Sequence, residues 1–373
     1  MKKIAHLLYI NYLSPDGEKT TVGGIQTYFN NLSELLIEIG YEVAIYQRAS
    51  KNFYRKLNNV EVFGVKGSSN RAKTIGKELF KECKKNFNIE TDLLIFGSDD
   101  YICDTDRIPF IAIQHGITWD IPKEQNKIYG LLKKFYRSWL VVERVRKASM
   151  LVCVDNNFIN WYRAIVSIPE VKMINIPNFA KIAPAIKKPE DGILRIIFAR
   201  RFFPYRGTRV FSMAVQRLFK EFTNIEITIA GEGPDEKWLR NQFINEPKVK
   251  FIRYSSEESL EVHSDKDIAV VPTLGSEGTS LSLLEAMSAQ CAVVCTNVGG
   301  MTDIILNGFN GLMVNPDEES IYQSLRTLIE NPELRLRLAN NGYNIVRECF
   351  SKEKWVSRWE KVLENYTTLK NSR

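Results

Sequence analysis

The sequence predicts an α/β protein built from two Rossmann-like, doubly wound domains. Its 373 residues exceed the size of one typical domain and suit two domains of about 180 residues each. Short, largely apolar runs of the kind found in buried parallel strands recur along the chain, separated by segments with apolar residues at helical spacing. Strands that alternate with helices in this way build parallel sheets from βαβ units.

The first βαβ unit lies near the N-terminus. Apolar residues from Ile4 to Asn11 predict one strand, and residues from Glu42 to Gln47 predict the next. Between them a helix with an apolar stripe opens at Gly23-Gly24 and ends at Gly40. Glycines at a helix N-terminus let the backbone come close to whatever lies there. A simple turn would have the same sequence, so the residues by themselves leave both interpretations open.

Three further strands are predicted in the first domain, over Leu93–Gly97, Phe110–Gln114 and Leu151–Val154. Polar residues follow each of them, where a doubly wound sheet presents its ligand-facing loops. His115 lies at the end of the second of these strands. A single histidine is more often structural than catalytic, so its position alone leaves both roles open.

The net charge of +7 is concentrated in the first half of the chain, where 25 Lys and Arg face 19 Asp and Glu up to residue 180. The segment from Gly130 to Ala148 interleaves basic residues with bulky apolar ones and holds one acid, Glu143. As a helix it predicts contact of Lys133–Lys147 with an anionic membrane, and a packed surface helix is the alternative. No nucleic-acid partner is expected.

Composition otherwise indicates an ordinary soluble protein, with 44% hydrophobic and 25% charged residues. No apolar run approaches the roughly 18 residues of a membrane span, and the first residues lead directly into a strand. We therefore expect a cytoplasmic protein, held at most peripherally on the inner face of the membrane.

The segment Lys181–Gly192 is rich in proline and lysine and predicts a linker. It separates a first domain of residues 1–180 from a second domain of residues 193–350. The second domain opens with a predicted strand, Leu194–Ala199, and continues with another, Ile225–Ala230.

The stretch that follows Val271 carries the strongest signal for a ligand. A β-branched strand ends there, and a polar turn then leads into a helix whose N-cap is Thr279 or Ser280. Gly278 lets the backbone approach an anion at the helix N-terminus.

Two carboxylates flank this turn, Glu277 before the helix and Glu285 about a turn and a half inside it. Carboxylates accept hydrogen bonds from sugar hydroxyls, so an anion-binding helix between them suits a ligand that is part phosphate and part sugar. A surface helix with two ordinary glutamates is the alternative interpretation.

These residues resemble the nucleotide-sugar site of a known family. The segments SEGTSLSLLEAM, VGG and NGFNGLMVNP are similar to those of retaining glycosyltransferases of the GT-B fold, family 4, or glycosyl transferases group 1. The resemblance implies two Rossmann-like domains facing across a cleft, with a last helix at 351–373 that crosses back to an acceptor-binding first domain. It implies that Glu285 holds the ribose and that Glu277 contacts the donor sugar. The diphosphate would meet the backbone of Gly278, Thr279, Ser280 and Leu281.

Arg201 and Arg206-Gly207 extend the resemblance. The family's motif is an Arg, then four residues, then Lys-Gly, and this sequence matches it except that Arg206 replaces the Lys. Arginine is a good bidentate partner for a diphosphate. By resemblance, His115 would lie near the donor sugar and the leaving phosphate. The predicted catalytic residues are therefore Glu277, Arg201, Arg206 and His115, and the donor-binding residues also include Gly23, Gly24 and Gly231.

Two features depart from the family or compete with it. The Gly and Pro that usually follow the Glu285 helix are replaced by Gln290 and Ala292. The sequence Asp104-Thr-Asp106 matches the metal-binding signature of the other large glycosyltransferase fold. Such a short match is common by chance, so we expect a solvated loop and no metal.

The resemblance implies transfer of a sugar from a nucleoside-diphosphate sugar, UDP in preference to GDP, to a glycan or lipid-linked hydroxyl in bacterial cell-surface polysaccharide synthesis. No cofactor is expected. A nucleotide-sugar epimerase of the same fold and a non-catalytic nucleotide-sugar binder stay open as alternatives. A nicotinamide enzyme would need a third glycine after Gly231 and Gly233, and Glu236 stands at that position.

Overall fold

The computed structural model describes residues 2–21, 23–68, 70–121, 127–166, 172–184, 186 and 188–371. The chain divides into two compact units. The first contains Met1–His115, Gln125–Ile176 and Val356–Arg373, and the second contains Gly116–Glu124 and Pro177–Trp355. Lys181–Gly192, the predicted linker, groups with the second unit, although its residues Ala185 and Lys187 lie outside the described residues.

Within the described ranges, the first unit has an eight-stranded sheet in the order β3-β4-β2-β1-β5-β6-β7-β8. All neighbouring strands are parallel except β3, which runs antiparallel to β4. The strands are β1 Lys3–Leu8, β2 Tyr41–Ala49, β3 Phe53–Leu57, β4 Val60–Lys66, β5 Leu93–Phe96, β6 Ile111–Gln114, β7 Met150–Cys153 and β8 Lys172–Asn175. The helices are α1 Gly24–Glu38, α2 Ala72–Cys83, α3 Lys127–Val145 and α4 Asn156–Ile165.

The second unit has a six-stranded parallel sheet in the order β11-β10-β9-β12-β13-β14. The chain winds outward from β9 in one direction and then from β12 in the other, as in a doubly wound Rossmann fold. Its strands are β9 Leu194–Ala199, β10 Ile225–Ala230, β11 Val249–Ile252, β12 Ile268–Val271, β13 Ala292–Thr296 and β14 Leu312–Val314. Its helices are α5 Thr208–Leu218, α6 Glu236–Gln242, α7 Ser259–Ser264, α8 Leu281–Ser288, α9 Glu318–Glu330 and α10 Pro332–Cys349.

The last helix, α11 (Lys352–Asn371), contributes side chains to the first unit from Val356 onward. The indole nitrogen of Trp359 donates a hydrogen bond to the Tyr28 hydroxyl at 3.1 Å. The Tyr366 hydroxyl donates to the Pro109 carbonyl at 2.7 Å. In the part of the chain that the structure describes, no helix is both long and apolar enough to span a membrane.

Gln290 stands where the resemblance implies a glycine after α8, and it adopts the left-handed backbone conformation that glycine commonly takes at a helix C-terminus. Its φ is +55°, in the left-handed region that ends many helices. Its N–H donates to the Met287 carbonyl at 3.0 Å, and the Cys291 N–H donates to the Ala286 carbonyl at 3.0 Å. These two bonds close the helix, so the C-cap forms without glycine.

Candidate active site

The candidate site lies in the second unit, where the strand order reverses between β9 and β12. In open α/β sheets, ligands bind beyond the carboxyl ends of the strands at such a switch point. Arg200 directly follows β9, and the turn after β12 carries Glu277 before α8 begins.

Glu277 is the centre of a buried cluster. Its Oε2 accepts a hydrogen bond from the Arg200 guanidinium at 2.5 Å and from the Thr273 hydroxyl at 2.9 Å. The same oxygen accepts a hydrogen bond from Arg206. The Glu277 and Arg200 residues are each only 7% exposed. Three donors on one oxygen fix the direction of this carboxylate.

The charges in this cluster favour an anionic ligand. Burial by itself raises the pKa of Glu277, but Arg200 and Arg206 outweigh burial, so the pKa lies below its ordinary value. Burial lowers the pKa of Arg200, and Glu277 opposes that shift. Two guanidinium groups share one carboxylate, which leaves positive charge in a place where water solvates it poorly. A diphosphate would compensate it.

The N-terminus of α8 adjoins the cluster. Ser280 is the N-cap, and its hydroxyl accepts a hydrogen bond from Arg200 at 3.5 Å instead of capping the helix. The Thr279 carbonyl accepts from the Asn178 amide at 2.9 Å. Leu281 is the first residue of α8, so the N–H groups of its first turn begin beside the arginine.

Glu285 lies in the second turn of α8. Burial raises the pKa of Glu285, and the charge of Arg200 offsets only part of the rise. Arg200 therefore interacts electrostatically with both predicted donor carboxylates.

Gly231 packs against the backbone of Arg200. A Cβ added to Gly231 would lie 2.1 Å from the Arg200 carbonyl oxygen, and the φ of +138° also requires glycine. The turn after β10 therefore supports the strand end that carries the arginine.

Arg201 lies outside the cluster. Its side chain is exposed, with the guanidinium carbon 5.7 Å from the centre of the Phe203 ring. Motif spacing predicts a phosphate contact for Arg201 and none for Arg200, whereas the structure places Arg200, and not Arg201, against Glu277. The available signal was the strand end, because Arg200 is the first residue after β9, where ligand-facing residues lie.

The other predicted residues belong to the first unit. Gly23 is the N-cap of α1, and Gly24 is its first residue. The His115 Nε2–H donates to the Gly97 carbonyl at 3.0 Å, and the ring meets Tyr28 edge-on with centroids 5.1 Å apart. Burial lowers the pKa of His115 to about 4, so the imidazole is neutral at pH 7.

Asp104 and Asp106 lie in an exposed loop of the first unit. The Asp106 N–H donates to the Asp104 carboxylate at 3.1 Å, and the Asp106 carboxylate pairs with Lys84 at 2.5 Å. Among the described residues, no three His, Cys, Asp or Glu side chains are grouped so that they could hold a metal ion.

Comparison with known proteins gives a family match in the second unit. Residues 180–345 match the model of glycosyl transferases group 1. The chain is 22% identical over 404 aligned residues to an uncharacterized glycosyltransferase of Methanocaldococcus jannaschii, covering 98% of this chain and 99% of that one. It is 27% identical to a glycogen synthase of Mycobacterium tuberculosis, over 42% of this chain and 38% of the relative.

Solved structures match nearly the whole length of the chain. Sucrose-phosphate synthase from Thermosynechococcus elongatus superposes with a TM-score of 0.78 at 16% identity, covering 99% of this chain and 100% of that one. HepE of Anabaena, solved in complex with UDP, has a TM-score of 0.69 at 16% identity, with coverage of 98% and 100%. These likenesses confirm the predicted GT-B fold.

Proposed function

We propose that this GT-B glycosyltransferase transfers a sugar from a UDP-sugar to an acceptor hydroxyl, with retained anomeric configuration. The premise is the match of residues 180–345 to glycosyl transferases group 1, together with the GT-B fold. The observation that carries the proposal is the buried cluster of Arg200, Arg206 and Glu277 beside the N-terminus of α8. This cluster offers positive charge to a diphosphate and a fixed carboxylate to a sugar.

The donor is proposed to bind by its diphosphate to the two arginines and to the backbone of Gly278–Leu281. Glu285 would hold the ribose, and Glu277 would accept hydrogen bonds from hydroxyls of the sugar. UDP is favoured over GDP because HepE was solved in complex with UDP and with UDP-glucose.

The reaction breaks the bond between the anomeric carbon and the diphosphate oxygen and forms a bond from that carbon to the acceptor oxygen. Negative charge grows on the departing diphosphate, and preorganised donors placed there stabilise the transition state. Arg200 and Arg206 supply that stabilisation, and the acceptor proton passes to the leaving phosphate on the same face of the sugar. Neutral His115 would serve as a hydrogen-bonding group and not as a cation.

The acceptor is proposed to be a glycan or a lipid-linked hydroxyl at an anionic membrane surface, in bacterial cell-surface polysaccharide synthesis. Support comes from α3, whose C-terminal part packs on the first unit through Val141, Val142 and Val145. Its preceding turns expose large apolar side chains to between 58% and 72%, an unusual patch for a soluble surface. These side chains are Leu131, Leu132, Phe135, Tyr136 and Trp139.

Basic residues accompany the apolar ones on the same helix. Lys133, Lys134 and Arg137 are exposed, and no acidic residue lies among them. Aromatic and aliphatic groups enter the headgroup region of a bilayer, while lysine and arginine pair with anionic lipids. We therefore propose a cytoplasmic protein attached peripherally through α3.

A panel of nucleotide sugars, incubated with and without candidate glycan acceptors, tests the proposed activity. We expect nucleoside diphosphate release that depends on the acceptor, with retained configuration in the product by NMR. Conversion of the donor to an epimer without transfer would indicate a nucleotide-sugar epimerase. Tight binding without any turnover would indicate a non-catalytic binder.

A further inference from the structure

Ser276, the residue before Glu277, has an unusual backbone conformation. Its φ is +60°, in the left-handed region that residues with a Cβ rarely adopt. Serine gains nothing from this conformation by itself, so surrounding contacts must hold it.

Asp120 contacts the backbone of Ser276. Its carboxylate Oδ1 accepts a hydrogen bond from the Ser276 N–H at 2.8 Å, although the two residues are 156 positions apart. A hydrogen bond to a charged acceptor is stronger than one between neutral groups. Both residues belong to the second unit, which includes the segment that begins at Gly116.

Residues 116–121 of this segment lie directly against the turn before α8. A Cβ added to Gly275 would be 2.8 Å from the Ile121 Cα, and one added to Gly116 would be 2.8 Å from the Gly278 nitrogen. The turn is therefore in close contact with residues 116–121, and its Ser276 N–H is bonded to the Asp120 carboxylate.

The position of Glu277 depends on this turn. On its other side, the Glu277 carbonyl accepts a hydrogen bond from the Gly300 N–H at 3.1 Å. If Ser276 returned to a negative φ, the chain would rotate at the residue next to Glu277 and move its carboxylate away from Arg200.

We propose that Asp120 is a positioning residue, which holds Ser276 in the left-handed conformation and thereby aims the Glu277 carboxylate at Arg200 and at the donor sugar. The inference rests on the proposed function for its catalytic consequence. The structural part, a backbone conformation set by one carboxylate, stands independently of it.

Four variants test the proposal: Asp120→Ala, Asp120→Asn, Ser276→Gly and the double variant Asp120→Ala with Ser276→Gly. We expect Asp120→Ala to lower kcat for transfer by roughly 10-fold to 10²-fold, as when a reacting group is displaced by up to about 1 Å. Affinity for free nucleoside diphosphate should change less than about threefold, because Glu277 contacts the sugar and not the nucleotide. Asp120→Asn keeps an acceptor oxygen and should retain most of the activity.

Ser276→Gly supplies the decisive rescue. Glycine adopts positive φ without steric cost, so the double variant should be at least about tenfold more active than Asp120→Ala. A merely structural role for Asp120 predicts no recovery, because glycine restores no contact. Unchanged activity in Asp120→Ala, or a double variant no better than Asp120→Ala, would overturn the proposal.

Amide hydrogen exchange at residue 276 separates this inference from the proposed function. Loss of the charged acceptor should speed exchange of the Ser276 amide by about tenfold or more in Asp120→Ala. Unchanged exchange overturns the inference even if the wild-type protein is active. If the wild-type protein turns over no nucleotide sugar, the proposed function fails, and the exchange rates still decide whether Asp120 fixes the turn.

Discussion

Arg200 and Glu277 form a buried ion pair, with a guanidinium nitrogen 2.5 Å from the carboxylate oxygen. The two residues are 77 positions apart in sequence, and they meet beyond the carboxyl ends of the adjacent parallel strands β9 and β12. Removal of one partner from such a pair leaves an uncompensated buried charge, which costs more than the loss of an exposed pair. Arg200 also contacts Ser280, the N-cap of α8, so the phosphate-binding role is expected at Arg200 and not at its exposed neighbour Arg201.

Arg200→Met and Arg201→Met form a matched pair of variants. We expect Arg200→Met to lower kcat by roughly 10²–10³-fold, as when one preorganised donor to a developing oxyanion is lost. Arg201→Met should stay within about threefold of the wild type, because its side chain is exposed and contacts Phe203. Steady-state kinetics with the preferred donor measures both, and a larger loss in Arg201→Met would restore the assignment made from motif spacing.

Glu277→Gln should separate nucleotide binding from sugar transfer. The amide keeps an acceptor oxygen but removes the negative charge, so Arg200 and Arg206 are freed for the diphosphate. We expect affinity for free nucleoside diphosphate to be retained or increased, while kcat and sugar selectivity fall. Calorimetry with the nucleoside diphosphate alone checks the first part, and loss of that binding would contradict the assigned role.

Glu285→Gln should change affinity and stability in opposite directions. Loss of the charged acceptor for the ribose should weaken nucleoside diphosphate binding by about 1.5–3 kcal/mol. The raised pKa of Glu285 means that the group supports folding at low pH and that this contribution is lost as pH rises through the raised value. Glutamine stays neutral, so the variant should gain stability relative to wild type as pH rises from about 4.5 toward 7. Thermal unfolding at several pH values measures this, and a stability difference between variant and wild type that does not change between pH 4.5 and about 7 would contradict it.

Metal independence is predicted from the donors available to the diphosphate, which are two arginines and a helix N-terminus. Activity should survive EDTA. Asp104→Ala and Asp106→Ala should both keep activity within about twofold, because Asp106 pairs with Lys84 in an exposed loop. Loss of turnover on chelation together with loss in both variants would establish the D-x-D site instead.

Membrane attachment through α3 should depend on lipid charge. Each exposed basic residue near an anionic surface contributes about 1 kcal/mol, so reversal of Lys133, Lys134 and Arg137 to Glu should abolish co-sedimentation with anionic liposomes. Neutral liposomes should bind the wild-type protein weakly, and added salt should release it.

A triple reversal of exposed lysines elsewhere provides the control for that experiment. Lys220, Lys237 and Lys354 are exposed and lie outside α3, so their replacement by Glu changes the net charge equally. This variant should still bind anionic liposomes. Equal loss in both triple variants would show that net charge, and not the α3 surface, drives the association.

The strands of the second unit could be predicted closely, because a buried parallel strand needs continuous apolar residues. β9 and β10 have the bounds that these residues predicted, and β12 ends at Val271 as predicted. Which of two neighbouring arginines joins the Glu277 cluster could not be predicted in the same way. Residues 200 and 201 are both arginine, and only the direction of the chain at the strand end decides which one is buried.

Asp120 was beyond sequence reasoning for a different reason. Its partner lies 156 positions away, and the bond joins a side chain to a backbone N–H, which leaves no residue pattern. Gln290 shows the reverse case, in which an apparent departure from the family changes little, because glutamine adopts the left-handed φ usually taken by glycine.

The bond between Trp359 and Tyr28 has a consequence for synthesis on the ribosome. The two residues are 331 positions apart in sequence. At a translation rate of about 5–20 residues per second, roughly twenty seconds to a minute pass between the synthesis of Tyr28 and that of Trp359. During that time the nascent first unit lacks α11, and the apolar surface around Tyr28 remains uncovered. The first unit is therefore completed only after Trp359 of α11 has left the exit tunnel.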